Sequence, residues 1–156
     1  MEAFTSVIAG QSAPGKRDVK KVPFVELLGG RVQGVVSSGS DVRRVYVSFV
    51  EGGTGNFYCC TNNNRPCGGM YGSSCKHLQL MVQEAVLQFG ASTVAKYLGL
   101  KDPESFQDGS AMLASLNGSL QKESPGIVFS RFLNYLRYCE LKCPPGTVHE
   151  MAWFVS

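Results

Sequence analysis

A chain of 156 residues with 44% hydrophobic content is long enough for one domain with its own core, so any metal it binds is a local staple rather than the source of the fold. No run approaches the roughly twenty apolar residues of a membrane span, and Met1-Glu2 opens without the basic-then-apolar layout of a secretory signal, which predicts a cytoplasmic protein with reduced thiols. The net charge of +3 arises within residues 1–44, where seven Lys or Arg face four acids, a far thinner basic stripe than nucleic-acid binders usually carry.

Residues 1–20 are rich in Gly, Ser, Pro and Lys and show little periodicity, so they read as an extended arm ahead of a single domain over 21–156. From Val22 onward the chain favours strands: VPFVELL, RVQGVVS, VRRVYVSFV and NFYCC, separated by turns at Gly29-Gly30, Ser38-Gly39 and GGTGN. This predicts an antiparallel meander, with the third strand apolar on both faces and therefore covered on both sides.

After His77 the period becomes helical. Leu78, Met81, Val82, Ala85, Val86 and Phe89 form one apolar stripe ended by Gly90. A shorter helix is predicted over Thr93–Leu98, capped by Ser92 and closed by Gly99. Asp102-Pro103 and Ser124-Pro125 each place proline after a capping residue, which predicts two further helices, the first ending at Asn117-Gly118. The second carries Val128, Phe129, Phe132, Leu133, Leu136 and Cys139 on one face and stops at Pro144-Pro145, and the tail VHEMAWFV is read as a returning strand. The expected fold class is α+β: a meander, a zinc-binding loop and a C-terminal group of about four helices.

The chemistry gathers where strand gives way to helix, in FYCCTNNNRPCGGMYGSSCKHL. Cys60, Cys67, Cys75 and His77 are separated by six, seven and one residues, and three thiolates with one imidazole make a closed tetrahedral shell for Zn2+. The intervening Asn, Gly, Pro and Ser suit a chain that must wrap tightly around an ion. Neighbouring residues on a strand face opposite ways, so only one of Cys59 and Cys60 reaches the metal; Cys60 is taken as the ligand and Cys59 as the alternative. The competing readings are small buried hydrophobes and iron–sulfur ligation. In a second group, Cys139 and Cys143 are read as packing and His149 as a surface or strand histidine. Glu51 and Glu84, the nearest acids, are read as solvated.

Cys75-Lys76-His77 leading into LQLMVQEAV, after a strand ending in Cys60, resembles the SWIM-type zinc finger over residues 44–90. The family's leading Cys-x-Cys is altered here to Cys59-Cys60, with Tyr58 where the first ligand would stand and Cys67 supplying the missing thiolate. The resemblance implies binding without catalysis. Three functions are carried forward: an accessory subunit docking on a protein partner in a larger complex, a DNA- or RNA-binding module in recombination, repair or transcription, and an enzyme whose zinc keeps only three protein ligands.

Overall fold

A computed structural model of the chain describes residues 4–5, 21–39, 44–70 and 74–142. Five antiparallel strands follow one another in sequence order: β1 (Phe4–Thr5), β2 (Phe24–Leu28), β3 (Arg31–Ser37), β4 (Val45–Glu51) and β5 (Phe57–Thr61). Gly29 and Gly30, at φ +61° and +80°, close the β2–β3 turn in a conformation that costs a side-chain-bearing residue dearly. Helices α1 (Lys76–Phe89), α2 (Ala91–Tyr97), α3 (Gly109–Ser115) and α4 (Gly126–Lys142) come after the sheet, giving the predicted α+β class.

Strand alternation sends side chains to two separate cores. Val25, Leu27, Val32, Val36, Val50 and Cys59 meet the α1 stripe of Leu78, Met81, Val82, Ala85 and Val86, all buried. On the other face, Phe24, Val35, Val45 and Val47 meet Val128, Phe132 and Leu136 of α4. Both faces of β4 are thus covered, as its apolar alternation predicts. Glu26 also points to the α4 side. It is fully buried, accepts a hydrogen bond from Gln33 Nε2 at 2.8 Å, and is held by a two-pronged pair with Arg131, whose Nη2 lies 2.8 Å from Oε2.

The free edge of β5 is closed by chain from elsewhere. The Phe57 amide donates to Ser119 O and the Gln121 amide to Phe57 O, and Leu120 bridges Phe57 in parallel. Gly118 permits this approach, because a Cβ there would lie 1.9 Å from the Gly55 carbonyl.

Three helix predictions need correction. The short helix begins at Ala91 behind Gly90, and the Ser92 hydroxyl, expected to cap it, bonds Glu104 instead. Asp102-Pro103 starts only a 3-10 turn over Pro103–Ser105, since Asp102 adopts a left-handed φ of +52° without capping; α3 starts afresh at Asp108, whose carboxylate accepts from the Ala111 amide at 2.8 Å. On α4, Leu133 is 37% exposed rather than part of the packed stripe. Most of the arm over 1–20, Cys143, Pro144-Pro145, His149 and the VHEMAWFV tail lie outside the described residues, although Phe4 and Thr5 pair with Leu27 and Glu26.

Candidate metal centre

Four side chains from three parts of the chain converge beside the first core. Cys59 comes from β5 and faces α1. Beyond Thr61 the chain turns through Asn64, at φ +61°, and returns antiparallel: the Thr61 amide donates to Arg65 O, Pro66 bridges Cys60, and the Cys67 amide donates to Cys59 O at 3.0 Å. That last bond brings the Cys67 thiol beside Cys59. Cys75 is the N-cap of α1, with its Sγ accepting from the Leu78 amide at 3.5 Å, and His77 sits within the first turn. A cap residue and the residue two positions on share one helix end, which is the physical meaning of the Cys-x-His spacing.

The ligand atoms of Cys59, Cys67, Cys75 and His77 all lie within 4.8 Å of one another. His77 Nδ1 is 3.3 Å from Cys67 Sγ and 3.8 Å from Cys59 Sγ. Donors at the corners of a tetrahedral zinc shell stand ~3.4–3.8 Å apart, so this cluster can hold a single metal ion with little adjustment. The His77 ring is stacked on Tyr46 of β4, centroids 3.6 Å apart and planes 14° apart, which fixes its orientation.

The surroundings drive the three thiols apart in acidity. The Gly69 amide donates to Cys67 Sγ at 3.4 Å. The hydrogen bond from the Cys59 thiol, followed by the His77 ring and the Leu78 amide, holds Cys75 down to about 4 against the opposing pull of burial. The same bond to Cys75, with burial, holds Cys59 well above the usual thiol range, and burial raises Cys67. Ser48 stands opposite Cys59 in the β4–β5 register, fully buried, and its hydroxyl, which has no other partner, is directed at the Cys59 sulfur and works against the rise there. A metal-bound thiolate at Cys59 offers that hydroxyl an acceptor.

Of the sequence-predicted ligands, Cys67, Cys75 and His77 come together as expected, whereas Cys60 does not join them. It lies on the opposite face of β5, buried with Phe49 and Tyr58, where loss of water pushes its thiol up to about 11. Cys59 takes its place because α1 and the returning loop lie on the face that Cys59 addresses. Glu51 and Glu84 are half-buried rather than solvated, accepting from Thr54 and Gln88, and among the described residues no carboxylate joins the cluster. Cys139, half-buried on α4, is the one member of the second group within the described residues. No described helix is long and apolar enough to cross a membrane. The chain matches no protein-family model, no curated protein and no solved structure.

Proposed function

We propose that the chain is a non-catalytic zinc module of the SWIM-finger type, working as an accessory subunit that docks on a protein partner in a reducing compartment. The observation that carries this reading is the closed set of four protein donors, three of them buried thiols. Zinc held by four side chains keeps no position for water or substrate, and three thiolates favour zinc over the oxygen-preferring cations. A strand ligand followed by Cys-x-His at a helix start is the part of the SWIM pattern that the chain keeps, with the loop ligand Cys67 standing in for one thiolate of Cys-x-Cys. The metal stiffens the loop carrying Arg65 and Met70, so that this surface meets a partner with little loss of freedom.

The test is purification of the untagged protein from its native host under reducing conditions, with elemental analysis. One zinc per chain and a stoichiometric companion protein are expected. Iron with visible absorbance would overturn the zinc assignment, and a zinc-loaded protein with no companion would overturn the accessory role.

A further inference from the structure

The outer end of the β4–β5 hairpin holds a feature that metal binding does not use. Tyr46 pairs with Thr61 in the sheet register, so Arg44, two residues before Tyr46, stands across from Asn63 in the turn that follows β5. That turn is tied down on both sides. The Asn62 amide donates to Val45 O at 3.0 Å, and the Arg65 amide donates to Thr61 Oγ1 at 3.1 Å. Arg44 and Arg65 are thereby brought to one hollow of about 210 Å3, lined also by Tyr46, Thr61, Asn63 and Pro66.

The lining includes two arginines and no acid. Among the described residues no carboxylate pairs with either arginine, although Arg31 finds two and Arg131 one. Two cations beside one hollow repel each other unless an anion lies between them. The neutral lining residues add donors: the Asn63 amide, the Tyr46 hydroxyl, and the Thr61 hydroxyl, whose oxygen already accepts from Arg65 N and whose hydrogen remains to be donated.

We infer that this hollow is a binding site for a phosphate group. Two guanidinium forks with three further donors exceed what the two oxygens of a carboxylate can accept, whereas a phosphate presents more oxygens in the geometry that arginine bridges bidentately. The volume falls below the roughly 300–1,000 Å3 of sites that enclose a whole small molecule. It therefore seats the phosphate end of a ligand, either a free phosphate or one phosphate of a nucleotide strand. The site goes beyond the docking role and does not depend on it.

The test is an NMR titration of the zinc-loaded full chain with inorganic phosphate, with ionic strength held constant by chloride. Saturable shifts of the Thr61, Asn63 and Arg65 amides are expected. Arg44→Ala and Arg65→Ala should each raise the Kd roughly tenfold, and Arg65→Lys several-fold despite its retained charge, because the fork is lost. Zinc content, measured on the same samples, should stay at one per chain, which separates failure of this site from failure of the metal reading. Shifts that never saturate, unchanged binding in the double alanine variant, or tighter binding of a glutamate-rich peptide than of phosphate would overturn the assignment. A trinucleotide binding tenfold more tightly than inorganic phosphate identifies a nucleic-acid strand as the source and equal affinities identify free phosphate, both upholding the site.

Discussion

Cys59 and Cys60 share a peptide bond and almost complete burial, yet one faces the metal cluster and the other a small apolar group around Phe49 and Tyr58. We expect Cys59→Ser to abolish zinc binding and Cys60→Ser to leave its stoichiometry at one per chain; a metal-retention assay giving the reverse would refute this assignment. Strand parity tells that only one of the two is a ligand, but which one depends on the face α1 covers, and that is decided by contacts far along the chain. One local clue was present: Ser48, opposite Cys59, is the lone polar residue in the otherwise apolar run VYVSFV. Ser48→Ala removes a buried hydroxyl whose one partner is the Cys59 sulfur, so the zinc-free protein should lose little stability in urea. Zinc affinity should fall about tenfold, as when other groups that support a ligand are removed. Equal affinity in a competition titration would count against it. The thiols also set a proton count. Cys59 and Cys67 sit above their ordinary range and are protonated at pH 7, whereas Cys75 at about 4 is already ionised, so zinc uptake should release about two protons and weaken as pH falls. Calorimetry in buffers of differing ionisation enthalpy reads that number.

The helix α1 was legible in sequence because its apolar stripe, its Cys-x-His start and its Gly90 stop all agree. Strands β2 to β5 were legible for the same reason, each being bounded by turn residues, whereas β1 lies in a stretch read as an arm. The stretch from 91 to 117 was not. Ser92 and Asp102 have the chemistry of caps, but the Ser92 hydroxyl goes to Glu104 and Asp102 takes a left-handed backbone, choices made by tertiary neighbours rather than by local propensity. The pairing of Arg131 on α4 with Glu26 on β2 was equally invisible, since 105 residues separate them. It anchors α4 to the sheet. Arg131→Met leaves the Glu26 carboxylate buried with Gln33 as its remaining partner, and should cost about 2–4 kcal/mol in urea unfolding. The double variant Glu26→Gln with Arg131→Met should recover most of that loss, because the cost comes from the stranded charge rather than from the missing contact. No recovery would point to lost packing by the arginine stem instead.

Across the whole molecule, the packing of α1 and α4 on the two faces of the sheet proceeds mostly through residues that are not ligands. Chelation should therefore lower the thermal midpoint by about 10 °C while leaving the far-ultraviolet circular dichroism largely intact, unlike an isolated zinc finger, which unfolds outright. Collapse of the spectrum at 25 °C would show the metal to be the source of the fold. Length and apolar content point the same way in the sequence alone; the convergence of Arg44 and Arg65 was not legible there, because it depends on how the 61–65 turn folds back. Tyr46 joins the two regions, with one face of its ring against His77 and its side chain lining the arginine hollow. A ring that touches both cannot be held by one without being steadied for the other, so the two occupancies are thermodynamically linked. Whatever factor phosphate contributes to zinc retention, zinc returns to phosphate affinity. Replacing Tyr46 with leucine should uncouple them, and the rate at which a chelator strips zinc should then no longer depend on phosphate.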